Sequence, residues 1–216
     1  MPLRQASVRC GTVGSLNPAD ALTLEAWVRL DGEQEDPYAT IIRRDEAYAL
    51  RFGDGGVGML LWIGANVERV TSARKEWETG RWYHIVGTYD GERIRLFIDG
   101  EEDEASPAPQ SGTLASSGTL CYLGSCAGRW PLAGTLDEVR IYRTALSPEA
   151  IRASWLRGRR ALRAQAGRIV EPEAIGRPPR PEESVIEQTV YRKPEREITM
   201  EVPGFVWIDA EDFQDY

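Results

Sequence analysis

The stretch from Trp82 to Gly100, WYHIVGTYDGERIRLFIDG, restricts this chain to a β scaffold. Ile94, Leu96 and Ile98 alternate with Arg93, Arg95 and Asp99, the period of a strand with one buried face. Asp90-Gly91 between two such runs predicts a hairpin closed by a primed turn, because glycine accepts the positive φ that such turns require. Parity sets Trp82, His84 and Val86 on one face.

The same reading predicts strands at 5–10, 22–30, 38–44, 46–52, 57–63, 67–74, 82–90, 93–100, 119–124 and 134–143. Many short strands with regular glycine punctuation are the pattern of a sandwich or barrel. Residues 106–118, rich in Ser, Pro, Gly and Ala, read as a mobile loop. One helix is predicted after Ser147, with that hydroxyl as cap, Pro148 in first helical position and Glu149 in the first turn. Ile151, Trp155 and Leu162 then lie near one face and dock the helix on the sandwich.

LTLEAWVRL at 22–30, ATIIRR at 39–44, the hairpin, and GTLDEVRIYRTALSPEAI at 134–151 occur in that order. Together they resemble the laminin-G-like jelly roll of the concanavalin A-like lectin and glucanase superfamily, over roughly residues 5–160. The resemblance implies an all-β fold: a two-sheet antiparallel jelly-roll sandwich over 1–162 with one short C-terminal helix. It also implies a carbohydrate-binding or adhesive appendage of a larger secreted, cell-surface or periplasmic protein.

Residues 163–216 have a different texture. Six of the thirteen prolines lie between Pro172 and Pro203, and GRPPRPEE at 176–183 reads as an extended linker. Runs at 184–191 and 196–202 alternate as strands do, and GFVWIDAEDFQDY resembles the opening strand of a following domain. Alternatively the tail pairs with an open sheet edge. Met1 falls just before the first predicted strand, so the chain is expected to be one piece of a longer multidomain protein.

Composition narrows the partners. The net charge is −8; residues 1–160 carry 19 basic and 22 acidic groups, and residues 161–216 carry 7 and 12. An acidic body without a basic run argues against nucleic acid, whose binding rests on neutralising phosphates, and against an anionic membrane surface. No apolar run reaches the roughly 18 residues that span a bilayer, so membrane insertion is not expected, and no signal-peptide core opens the chain. Cys10, Cys121 and Cys126 give no paired framework; buried free thiols are weighed against a Cys121–Cys126 bridge.

Asp137 leads the candidate sites. Strand parity places it with Val139 and Ile141 on the apolar side, where a carboxylate needs a partner. In related jelly rolls the aspartate of this D-x-V-R-I-Y strand binds a structural calcium with backbone carbonyls, so the resemblance implies calcium here. Asn17, Asp20 and Asp31 are the further side chains on offer, each with a turn residue as its alternative; for Asp137 the alternative is a hydrogen-bonded strand-end carboxylate. His84, Trp27 and Trp82 read as packing residues.

A sugar site needs exposed aromatic rings beside planar polar groups, on rims and loops. Trp130 with Arg129 in the loop AGRWPLAG leads, followed by Tyr38, Trp62 and Trp77, with core packing as the alternative for Trp62 and a turn staple for Trp77. Enzyme motifs are missing: the glucanase pattern E-x-D-x-x-E fails at Ser106 in EEDEAS, and no G-x-S-x-G, Walker loop or H-E-x-x-H occurs. The expected role is a non-catalytic module that captures a polysaccharide or other glycan. A structural or protein-interaction domain packed on a neighbouring domain is the alternative, and a glycoside-acting enzyme the remote one.

Overall fold

Alternation, glycine turns and one amphipathic segment translate into two facing sheets and a helix. The computed structural model describes residues 7–34, 36–166 and 205–207, with 163–166 and 205–207 described by backbone alone. The strands are β1 (Val8–Arg9), β2 (Leu22–Leu30), β3 (Thr40–Arg44), β4 (Tyr48–Gly53), β5 (Gly56–Ile63), β6 (Asn66–Thr71) and β7 (Trp82–Tyr89). They continue as β8 (Arg93–Ile98), β9 (Glu101–Glu102), β10 (Ala108–Pro109), β11 (Cys121–Leu123), β12 (Gly134–Tyr142) and β13 (Phe205–Trp207); α1 spans Pro148–Ala166.

One sheet has six strands in the order β1-β11-β3-β4-β5-β6. The other has seven, β10-β8-β7-β2-β12-β13, with β9 joined to β8. All pairings are antiparallel. The core lies between the sheets, where Leu24, Ala26, Val28, Ile85 and Leu96 meet Ile42, Leu50, Met59 and Leu61. This is the two-sheet jelly-roll sandwich that the strand pattern and resemblance led us to expect.

The turns are distributed differently from expectation. Asp90-Gly91 opens a longer connection in which the Asp90 carboxylate accepts the amides of Glu92 and Arg93, and only Gly91 has positive φ. Two-residue turns with positive φ at both positions occur instead at Asp54-Gly55 between β4 and β5 and at Asp99-Gly100 between β8 and β9, with φ of 54° and 76°, and 53° and 80°. Residues 106–118 are tied down rather than loose: β10 pairs with β8, Leu114 is buried, and the Tyr89 hydroxyl donates to the Gly112 carbonyl at 2.6 Å.

The helix begins as expected, with the Ser147 hydroxyl accepting the Ala150 amide at 3.2 Å, but its 19 residues make it longer than the short helix predicted. It lies on the outer face of the seven-stranded sheet, with Ile151 packed on Val86 and Phe97. Gly158 permits that approach, since a Cβ there would sit 2.5 Å from the Trp27 indole nitrogen. At the other edge, β13 pairs three tail residues with Arg140, Ile141 and Tyr142. The linker at 176–183 and the strands expected at 184–191 and 196–202 lie outside the described residues.

Candidate functional site

The two outer sheet faces carry different chemistry. On the seven-stranded sheet, β2 alternation turns Thr23, Glu25 and Trp27 outward beneath α1. The Glu25 carboxylate is fully buried and accepts from His84 Nε2 at 2.9 Å, the Tyr142 hydroxyl at 2.8 Å and Arg140 at 3.3 Å. The Ser154 hydroxyl of α1 closes the cluster with a short hydrogen bond to the same carboxylate. Burial alone raises the Glu25 pKa, but the hydrogen bonds of His84, Ser154 and Tyr142 outweigh it and bring the pKa down to about 2. Burial and the neighbouring Glu25 carboxylate push the Tyr142 phenol well above its ordinary value.

Serine, histidine and glutamate thus meet, but not as a nucleophile relay. Ser154 and His84 both bond to Glu25, and the His84 ring tilts against Trp27 with centroids 5.1 Å apart. A serine activated for attack needs the histidine as its base and an open path to substrate; here the helix seals the group. Its chemistry is that of a clamp fastening α1 to the sheet. Sequence reading placed His84 in the core and missed its acid partner, which lies 59 residues away; the outward parity of Glu25 in LTLEAWV was the available signal.

Among the described residues no helix covers the outer face of the six-stranded sheet. Arg9, Tyr122, Arg43, Ala49, Leu60 and Arg69 stand in register across it. The Arg43 guanidinium lies 5.7 Å from the Trp62 ring centre and 4.5 Å from that of Trp130. Arg129 approaches Trp130 at 4.5 Å as well, and Arg51 lies 4.3 Å from the Tyr38 ring. Asp45 ties the cluster with contacts of 2.6 Å to Arg43 and 3.6 Å to Arg129. The structure therefore brings Trp130, Arg129 and Trp62 together, with Tyr38 beside Arg51 on the same sheet. Sequence reading did not single out Arg43, Asp45 and Arg51, although Ile42-in, Arg43-out alternation in β3 marks the first of them.

Trp130 is held in an unusual way. Ala127 and Gly128, with φ of 50° and 77°, make a primed turn closed by mutual backbone hydrogen bonds of Cys126 and Arg129. Trp130 itself has φ of 54°, a left-handed conformation that is an outlier for so bulky a residue and costs on the order of 1–3 kcal/mol. Its carbonyl accepts the Thr40 amide at 2.9 Å, locking the loop to the start of β3. Trp77, by contrast, is a packing residue, edge-on to Phe52 and Tyr83 at 5.2 and 5.0 Å.

A family model described as the concanavalin A-like lectin/glucanases superfamily (Laminin_G_3) matches residues 4–152. The chain belongs to this superfamily. Pappalysin-1 of Mus musculus is 24% identical over 155 residues, covering 62% of this chain and 10% of that protein; pappalysin-1 of Homo sapiens is 21% identical over 154 residues. The chain therefore spans about a tenth of the length of these relatives. Domain 4 of AbnA, a GH43 extracellular arabinanase from Geobacillus stearothermophilus in complex with arabinotriose, has a TM-score of 0.55 and 19% identity, covering 68% of this chain and 71% of that domain. The botulinum neurotoxin serotype G binding domain has a TM-score of 0.50 and 12% identity, covering 66% of this chain and 37% of that one. At these identities the two structures share the fold.

In this concanavalin A-like sandwich Asn17 and Asp20 precede β2, Asp31 follows it and Asp137 lies in β12. The parity placing Asp137 with Val139 and Ile141 fails because the register with β2 shifts between Asp137 and Arg140, where Glu138 takes φ of 51°. Asp137 consequently sits opposite Trp27 on the outer side and accepts the Glu138 amide at 2.8 Å. Asp31 is engaged by Arg29 at 2.8 Å and Thr135 at 3.0 Å, the Asn17 amide by the Ser117 backbone, and Asp20 is exposed. Among the described residues no group of three or more His, Cys, Asp or Glu side chains is placed to hold a metal ion. A depression of about 350 Å³ at one end of the sandwich, lined by Ile63, Asn66, Glu68, Glu92, Gln110 and others, offers no aromatic ring. No helix among the described residues is long and apolar enough to cross a membrane.

Proposed function

We propose that this chain is a non-catalytic glycan-binding module of a larger secreted or surface protein, and that the open face of the six-stranded sheet is its binding surface. The observation that carries the reading is the Trp62–Arg43–Trp130–Arg129 ladder on the sheet face that no helix among the described residues covers. A guanidinium stacked on indole keeps in-plane donors free for hydroxyl or carboxylate oxygens, while the ring edges and neighbouring Tyr38 supply apolar contact to sugar C–H groups. The backbone strain at Trp130 fits a residue kept for recognition rather than stability. AbnA domain 4, with the same fold, was solved with arabinotriose, and a comparable accessory role is the one proposed here.

The mechanism is surface capture: a polysaccharide held on this face raises the local concentration of substrate for a neighbouring domain. The test is retention of the full chain on immobilised polysaccharides and a glycan panel, comparing wild type with Trp130→Ala and Trp62→Ala. The reading expects selective retention that either substitution weakens at least tenfold. Absence of retention across the panel would sink it and favour docking of a neighbouring domain, to which the exposed Val67 and Tyr38 on this face would contribute.

A further inference from the structure

We propose that Cys10 and Cys121 form a reversible thiol–disulfide site that fastens the first strand to the six-stranded sheet, with Arg44 keeping that bond easy to reduce. Among the described residues β1 is held to the sheet by two residue pairs with β11, Val8 to Leu123 and Arg9 to Tyr122. Beyond them the Cys10 amide donates to the Cys121 carbonyl at 2.8 Å and the Cys121 amide to the Gly11 carbonyl at 3.1 Å, setting the cysteines face to face. Cys121 is fully buried in the core between the sheets and Cys10, half-buried, packs against that core. Opposed residues of antiparallel strands have Cα atoms roughly 4.5–5.5 Å apart, inside the span a disulfide bridges.

The third member is Arg44. Register places Cys121, Arg44 and Tyr48 in one inward-facing row, and Arg44 is completely buried. Its Nη2 donates to the Ser117 carbonyl at 2.6 Å, whereas Nε and Nη1 have no hydrogen-bond partner among the described residues. No carboxylate among those residues forms an ion pair with it. A buried guanidinium without a counter-charge is costly, and the Cys121 sulfur is the neighbouring group able to supply one as a thiolate. The hydrogen bond from Cys10 lowers the Cys121 thiol most; burial opposes it, and the Tyr48 hydroxyl and Arg44 charge lower it further. Cys10, as the donor, is correspondingly raised.

The exchange partner is a small disulfide, RSSR, of the glutathione disulfide class. Half-buried Cys10 is the sulfur such a reagent reaches. Cys10 attacks RSSR as its proton passes to the Cys121 sulfur, forming Cys10–S–S–R and releasing RS⁻, which takes up that proton. The Cys121 thiolate then attacks the Cys10 sulfur, breaks the mixed disulfide and releases the second RS⁻. Counted from two protein thiols, two electrons and both protons end on two RSH. Oxidation removes the thiolate that Arg44 stabilises, which favours the reduced pair and makes the bond labile, as in oxidoreductases whose reduced form is stabilised. Cys126 is separate: its thiol donates to Asp45 at 3.5 Å and is pushed up by burial and that carboxylate.

The test equilibrates the full chain in glutathione buffers from reducing to oxidising, followed by acid quench, alkylation and peptide mass analysis. The expected product is a Cys10–Cys121 cross-linked peptide, reversed by dithiothreitol, with Cys126 alkylated throughout. The oxidised chain should melt on the order of 5–10 °C above the reduced one. Arg44→Met should let the bond form at a glutathione disulfide ratio at least tenfold lower. Because that variant removes a buried group and can fail to fold, Cys10→Ser is the second arm: it should abolish the cross-link and leave melting of the reduced chain within about 2 °C. Alkylation of Cys10 and Cys121 at every ratio, or a link through Cys126 or between chains, would overturn the proposal.

Discussion

The two outer faces of the sandwich hold similar residue types and put them to opposite uses. Under α1, a tryptophan, a histidine, an arginine and a tyrosine are enclosed around one carboxylate that four side chains bond, while the buried Nδ1 of His84 has no partner among the described residues. On the six-stranded sheet, arginines, tryptophans and a carboxylate remain half-open, with guanidinium donors still available to a ligand. Residue identity alone therefore does not mark a site; what covers the face does. Among the described residues the difference follows from where the Ser147-capped helix lands, and Gly158 against Trp27 is the contact that lets it land close.

Breaking the sealed face should be the most damaging change. Glu25→Ala leaves Arg140 and His84 without their buried acceptor and should cost about 3–5 kcal/mol in urea unfolding, against under about 1 kcal/mol for Arg129→Ala on the open face. Acid should find the same weakness. The folded pKa of Glu25, about 2, lies below its ordinary 4.5, so its contribution is fully present above about pH 4.5 and is lost as pH falls toward 2. The loss should amount to on the order of 3 kcal/mol, read as a pH slope of stability that Glu25→Gln flattens.

Smaller effects sharpen the comparison. Gly158→Ala should push the helix off Trp27 and cost about 1–3 kcal/mol, with increased amide exchange confined to α1 and its sheet contacts. On the open face, Trp130→Gly should be more stable than Trp130→Ala by about 1 kcal/mol, because glycine accepts the left-handed backbone that alanine does not. That ordering, measured by thermal melts, is the reverse of the usual preference for alanine. Smallest of all is the calcium test: the resemblance expects added calcium to raise the melting midpoint by a degree or more and chelation to reverse it, and a midpoint that stays in place would count against a calcium shell around Asp137.

Most of the scaffold was legible because the period-two pattern is local. LTLEAWVRL and WYHIVGTY announce their own strands, and Ser147-Pro148-Glu149 its own helix start. The requirement for aromatic rings on rims and loops also brought forward Trp130, Arg129, Tyr38 and Trp62. Legibility failed where one residue breaks the count: the shift at Glu138 reverses the side on which Asp137 emerges. It failed again where partners are distant in sequence, as with Glu25, His84 and Ser154, or Cys10 and Cys121. No spacing rule links those residues; only sheet register and helix docking do.

The most direct measurement of the two-face account is indole N–H chemical-shift mapping of the seven tryptophans during titration with an oligosaccharide from the glycan panel. The account predicts that the Trp62 and Trp130 resonances move together and saturate at one dissociation constant while Trp27 and Trp155 stay in place. Movement of Trp27 or Trp155 with Trp62 and Trp130 unchanged would contradict it, as would a titration in which none of the four responds.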